Sequence, residues 1–408
     1  MISQRIAIIG AGAAGCFAAA NIAYSENREV IVFEKTSKAL QKVKVSGGGR
    51  CNVTHSCFDV PELVAHYPRG KQLLRKSLYQ FTPQDTINWF EGRGVQIKTE
   101  ADGRMFPVTD SSQTIIECIW HEMMRNKVQV LYHKSVERIE KKEEVFIIYF
   151  IDGAIYEADK ILIATGGFPK IEQYKWLRDL GHTIQPPVPS LFTFNMPKHS
   201  ITSLMGVSVP TVTLKIAGTK IIEHGPLLIT HWGMSGPVVL RTSAWAAREL
   251  HDRNYEFQIL INWLNDVSEQ ELKEKIQQMR KEQGKQLIDH KNPFNLPKRL
   301  WEYQLQQCEI KEDMRWGDLP ANAQNKLIEH LLRDSYQIKG KTTFKEEFVT
   351  CGGISLSEIN PQTMESRITA GLYFAGEIMD VDGITGGFNF QSAWNSAWIA
   401  AQHIAKVS

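Results

Sequence analysis

The chain has 408 residues, 43% of them hydrophobic and 23% charged, with 47 basic against 45 acidic side chains and a formal net charge of +2. That length exceeds what one hydrophobic core usually supports, so two or three domains are expected, each able to fold without disulfide or metal staples. Near-zero charge argues against a nucleic-acid partner, which calls for a basic stripe. Six cysteines spread over so long a chain argue against a disulfide scaffold and for a reducing, cytoplasmic setting.

Residues 5–10 read as a buried strand, 13–24 as an alanine-rich helix and 30–34 as a second strand, a βαβ opening that predicts a parallel sheet. The uncharged run 6–23 is about as long as a membrane span, but its glycines and β-branched start suit strand, turn and helix better than an anchor or signal; no membrane partner is expected. Next comes VSGGGRCNVTH at 45–55. Its glycines suit close backbone contact with a cofactor, whereas Cys51, His55 and Cys57 suggest a metal. The metal reading lacks a fourth ligand nearby and is set aside. Cys51 has no CxxC partner and reads as packing.

Helical patterns follow at 71–79, 83–92 and 111–126, then short strands at 128–132, 135–140, 145–150 and 155–156 and the apolar run 161–167. Three prolines within 185–190 mark a boundary. Residues 191–264 are β-rich with turn signals at 217–218 and 233–236, 268–333 are helical with charged, solvated faces, and a strand-like return at 337–350 leads to Cys351-Gly-Gly353.

Gly10-x-Gly12-x-x-Gly15 lies between the first strand and helix, and Glu34 ends the second strand. Gly10 makes the tight turn, Gly12 admits a pyrophosphate to the backbone amides, and Gly15 lets helix and strand pack closely. Glu34 is placed to accept from ribose hydroxyls and to repel a 2′-phosphate. FAD and NAD share this ADP half. The strand 161–167 and the acid-terminated strand 371–377 favour FAD, since the second resembles the segment that meets the ribityl chain. Asp380-Val-Asp-Gly-Ile-Thr-Gly-Gly-Phe-Asn389 fails as a calcium loop: Ile384, Thr385 and Gln391 occupy positions that need an oxygen ligand, glycine and glutamate. A helix starting near Asn389 would instead turn its amides and dipole toward the flavin ring.

These stretches resemble the BaiN-like or YhiN-like flavoproteins, a group that includes aminoacetone oxidase-like proteins. The resemblance rests on GAGAAG (10–15), KVKVSGGGRCNVT (42–54), GRMFPVTDSSQT (103–114), ATGG (164–167), THWGMSGPVVL (230–240), VTCGGISLSEINPQTMES (349–366) and GLYFAGEIMDVDGITGGFNFQSAW (371–394). It implies an α/β fold: a Rossmann-like two-dinucleotide-binding FAD domain (1–186 and 351–408), interrupted by a β-barrel-like domain (187–266 and 335–350) that carries a helical subdomain (267–334). The cofactor contacts implied are Gly10, Ala11, Gly12, Ala14, Gly15, Glu34, Lys35, Gly49, Arg50, Cys51, Asn52, Val136, Thr165, Gly166, Gly376, Glu377, Asp380, Gly386, Gly387, Phe388 and Asn389. Arg50 has a structural salt bridge as its other reading. The chain departs from the family after ATGG, where residues 168–174 are short and lack the usual glycines.

The expected activity is FAD-dependent hydride or two-electron transfer with a small organic substrate. An RNA-modifying or RNA-binding flavoprotein and a flavin-bearing regulator without turnover are the alternatives. His231 is the candidate for proton transfer or substrate contact, with a structural histidine as its other reading. No second GxGxxG unit is present, so NAD(P)H enters, if at all, as a transient reductant.

Overall fold

A computed structural model describes residues 4–265, 267–343 and 349–406. They form two compact units, one of residues 4–190 with 349–406, the other of residues 191–343.

The first unit is built on a five-stranded sheet of Leu372–Phe374, Lys160–Ile163, Gln4–Ile9, Arg28–Phe33 and Gln129–Leu131 in that spatial order. All its neighbours are parallel. Its strands read as continuous apolar runs because both faces are covered; Ile6, Ala7 and Ile8 are wholly buried. On one face the helices Ala13–Asn21 and Phe388–Ile404 pack together, with the rings of Phe17 and Trp394 4.9 Å apart. The last helix is tied back to the first strand by Gln4, which donates to the Ile404 carbonyl at 3.2 Å. Thus the two ends of the chain share one core. A three-stranded antiparallel sheet, Val136–Lys142, Val145–Phe150 and Ile155–Ala158, leads into the strand Lys160–Ile163.

The first unit holds elements that the sequence reading lacks, among them the helix Val60–Ala65 and the antiparallel strands Thr54–His55, Arg104–Pro107 and Ile97–Thr99. The proline-rich segment is a strand, Ile184–Ser190, antiparallel to Val349–Ile354, with a register shift between Gln185 and Val188. Prolines are tolerated at such an irregularity because the ladder already lacks bonds there. Residues 41–49 are helical before a kink: Ser46 is extended, and Gly47 and Gly48 have φ of 58° and 69°, so the glycines stop the helix. Residues 168–174 turn into the 3-10 segment Ile171–Tyr174 and the short helix Lys175–Asp179. Of the expected strand 337–350, residues 344–348 lie outside the described ones.

The second unit is a seven-stranded antiparallel sheet whose end strands, Asp334–Lys339 and Lys341–Thr342, are consecutive in the chain. The chain bends at Gly340 (φ 97°) and pairs with Glu256–Asn262 on one side and Thr193–Asn195 on the other, so the sheet rolls into a barrel. Two helices missed by the β-rich reading, Pro237–Trp245 and Ala247–Asp252, belong here, and Gly233–Ser235 is a strand where a turn was expected. Short apolar runs do not separate helix from strand by periodicity. The helices Glu269–Glu282, Lys298–Gln307 and Ala321–Arg333 share one continuous apolar core with the barrel.

Buried Asp334 anchors that core. Its Oδ2 accepts from Trp263 Nε1 and Gln304 Nε2, each at 2.8 Å, and from the Tyr336 hydroxyl. Removing the acceptor would strand three buried donors. Asp334→Ala should therefore cost about 3–5 kcal/mol, read as a lowered midpoint in urea unfolding followed by tryptophan fluorescence.

Candidate flavin site

The opening turn is set by close approach. Gly10 has φ of 108°, and a Cβ there would stand 2.6 Å from the Ala164 carbonyl oxygen; a Cβ on Gly15 would stand 1.9 Å from the Gly10 oxygen. Gly12 is different, since its nearest heavy atom is the Ala164 oxygen at 4.0 Å. Gly12 caps the helix Ala13–Asn21, whose first-turn amides, including those of Ala14 and Gly15, have no partners within the helix. The space beside Gly12 therefore meets bare N–H groups and the positive end of a dipole.

Glu34 is buried and accepts from the Ala11 amide at 2.9 Å and from the Thr36 amide and hydroxyl, both at 2.8 Å. It ties the second strand to the glycine turn and keeps acceptor capacity beyond those three bonds. Lys134 donates its amide to the Glu34 carbonyl, which brings the strand that begins at Val136 alongside. Lys35 is exposed, with Nζ 5.4 Å from the Phe168 ring centroid. Phe168 is held edge-on to Tyr174, whose hydroxyl accepts from the Phe168 amide at 2.9 Å, so an aromatic clasp follows the ATGG segment.

The loops VSGGGRCNVT and DVDGITGGFN come together. A Cβ on Gly387 would lie 2.5 Å from the Thr54 carbonyl and 2.9 Å from Asn52 Oδ1. Thr54 donates to Gln391 at 2.7 Å, and Trp394 donates to the Val53 carbonyl at 2.9 Å. Gly387 caps the last helix, exposing the amides of Phe388 and Asn389 at its start. Asn389 itself is occupied: its side chain both accepts from and donates to the Gly383 backbone, at 2.8 and 2.9 Å, and so holds the loop that contains Gly386. Gly48, Gly49 and Gly166 have positive φ, and a Cβ on any of them would meet no atom within 4 Å, while Thr165 lies beside Gly166, donating to its carbonyl at 3.1 Å.

Gly376 packs against Ala14, with a Cβ site 2.9 Å from the Ala14 methyl. Glu377 pairs with Lys42 at 2.8 Å and accepts the Thr350 amide at 2.7 Å. Asp380 is buried beside it in sequence, and Asp382 is buried in an ion pair with Arg69, also accepting from Ser190 at 2.8 Å. Arg50 is drawn elsewhere: its guanidinium meets Glu100 at 2.5 Å and Asp110 at 3.6 Å and lies over the Phe106 ring. The salt-bridge reading is thus the one its geometry displays. Cys51 is fully buried, with φ of 61°, and burial pushes its thiol up to about 12. His55 stacks on Phe388 at 4.8 Å and contacts the Asp102 carbonyl through Nε2; burial lowers its pKa, favouring the neutral ring. Among the described residues no three His, Cys, Asp or Glu side chains gather as a metal site. His231 sits in the second unit, exposed at a hairpin turn and edge-on to Trp232 at 4.3 Å.

Two positions escaped the sequence reading. Thr350 is wholly buried and its Oγ1 has no hydrogen-bond partner, and Lys42 neutralises Glu377. Their signals were adjacency to Cys351-Gly-Gly353 and to the triple glycine. Glycines opening onto space, two helix starts with bare amides and an orphan buried hydroxyl fit a long molecule with a phosphate centre and a polar ring. The first glycine turn would hold its pyrophosphate and the start of the last helix its ring.

Fold and site together define an FAD-dependent oxidoreductase. The family model described as the HI0933-like protein Rossmann domain matches residues 4–403, and the chain belongs to that family. It is 33% identical over 97% of both chains to the ribosomal RNA dihydrouridine synthase of Escherichia coli K12. It is 30% identical, over 98% of both, to the Haemophilus influenzae protein of the same name. It is 28% identical over 99% of both chains to the 3-dehydro-bile acid delta(4,6)-reductase of Clostridium scindens. Among solved structures, the 3-ketosteroid-delta4-(5alpha)-dehydrogenase of Rhodococcus jostii RHA1 matches with a TM-score of 0.50 and 12% identity over 98% of both chains, a likeness of fold.

Two variants separate cofactor contacts from structural pairs. Gly12→Asp puts a carboxylate beside the bare amides and should yield protein without flavin absorbance. Arg50→Ala should retain a wild-type FAD content, because its partners are Glu100 and Asp110.

Proposed function

We propose that the chain reduces a carbon–carbon double bond conjugated to a carbonyl, and that its substrate is a uracil base of ribosomal RNA. The observation that carries this reading is the 33% identity over 97% of both chains with a ribosomal RNA dihydrouridine synthase. Dihydrouridine forms when uracil gains a hydride at C6 and a proton at C5, the C4 carbonyl drawing negative charge as the hydride arrives. The relative named for a bile-acid reduction points to the same electronic demand in an unsaturated ketone. FAD, when bound and reduced by two electrons, would supply the hydride from its N5, and the proton at C5 would come from solvent.

The residues of the chain hold and orient. Bare amides at the start of the helix Phe388–Ile404 favour negative charge on the ring side. Lys42 neutralises Glu377, and the buried Thr350 hydroxyl is a donor awaiting an acceptor. Cys51 is fully buried and stays a thiol. Electrons enter by transient docking of a dihydronicotinamide, and the reaction belongs in the cytoplasm with its RNA. Among the described residues no helix is long and apolar enough to cross a membrane.

A second reading keeps the small organic substrate, favoured by the net charge of +2. Anaerobic protein reduced with dithionite and offered unmodified ribosomal RNA should add two hydrogens to a uridine, seen by mass spectrometry of the digest. Turnover of a steroid dienone with RNA untouched would replace the RNA reading with the second one. Flavin bleaching by NADH or NADPH tests the proposed donor, and bleaching by neither would remove it.

A further inference from the structure

In the first unit a groove of about 490 Å³ runs between residues 68–76 and 356–367. Lys71, Lys76 and Arg367 line it, and among the described residues no carboxylate does. Residues 63–84 contain Arg69, Lys71, Arg75 and Lys76 and no acid, in a chain whose net charge is only +2. With Arg69 paired to Asp382, the stretch carries its further basic charge on Lys71, Arg75 and Lys76. Lys71, Gln72 and Lys76 are exposed on the helix Lys71–Ser77, and Tyr79, just past its end, is 64% exposed. On the opposite wall Arg367 is braced by a bond from Nε to the Ile359 carbonyl at 3.2 Å.

Both walls run directly into the ring end of the flavin site. Arg69 bridges to Asp382 as an isolated β-pair as well as an ion pair, and Gly70 approaches Val381 so closely that a Cβ would stand 2.7 Å from its methyl. The other wall follows the strand Val349–Ile354, which carries Thr350. A strand of nucleic acid lying in the groove would thus place a neighbouring nucleotide near the Asp380–Asn389 loop.

We propose that this groove binds the phosphodiester backbone of single-stranded RNA next to the base being reduced, with Lys71, Lys76 and Arg367 on phosphates and Tyr79 as a stacking surface. The proposal rests on the RNA reading above for its biological sense, but it makes a binding claim that is measured separately.

The test uses full-length, FAD-loaded protein and a fluorescent oligouridylate titrated by anisotropy across a salt series, for wild type and for Lys71→Gln/Lys76→Gln/Arg367→Gln. The proposal expects at least a tenfold weaker affinity in the triple variant, with a logarithmic salt slope shallower by about 2, from roughly 0.7 per lost phosphate contact. KM for RNA should rise with kcat unchanged. Flavin content checks folding, and Lys71→Arg/Lys76→Arg, which keeps the charge, should bind as wild type does. Wild-type affinity and slope in the triple variant would overturn the groove, even if uridine is still reduced. Charge-sensitive RNA binding without uridine reduction would support the groove and overturn the reading of the reaction. Polyglutamate bound as tightly, with the same sensitivity to the variants, would overturn the assignment to RNA.

Discussion

The structure depends on how closely the first turn, the first helix and the strand Lys160–Ile163 approach one another. A Cβ on Gly10 would stand 2.6 Å from the Ala164 oxygen, and one on Gly15 would stand 1.9 Å from Gly10. Because no side chains intervene, the helix start lies against the strand ends and its amides face open space at Gly12. The same strand then pairs with Leu372–Phe374, so the chain's last segment arrives beside its first. Gly376 against Ala14 continues this close contact, and the final helix follows from it.

Around that frame most charged side chains are already matched. Glu34 is met by backbone amides, Glu377 by Lys42, Arg50 by Glu100, and Asp382 by Arg69. The proposed cofactor would meet the field of two helix starts and the polar capacity of the Thr350 hydroxyl. Fixed dipoles of this kind stabilise charge without reorganising as it forms. A redox cofactor whose charge changes on reduction gains from that arrangement, and the paired carboxylates do not oppose it.

The βαβ opening was readable because strand, glycine turn, helix and terminal acid follow one another locally. Each step leaves its own residue pattern. The family motifs likewise pointed to both glycine loops. What stayed hidden was produced by distant contacts. The Arg50 pairing with Glu100 and Asp110 joins residues 50 and 60 positions apart, and the prolines at the 185–190 boundary lie in a strand only because Val349–Ile354 supplies a ladder beside them. The helix that begins at Gln41 was masked by the same glycines that terminate it. The helices 237–252 were lost among short apolar runs, where period alone does not decide. Whole-chain charge also concealed a local basic stretch, since acids elsewhere cancelled it.

An enzyme that serves an RNA base and one that serves a steroid dienone need the same electronic arrangement at the ring and different surfaces around it. Family membership and fold account for the shared part. The most direct check on that part is the cofactor released from purified wild-type protein on denaturation. The account predicts a yellow protein that yields one FAD per chain. A colourless protein that takes up no flavin on reconstitution would contradict it.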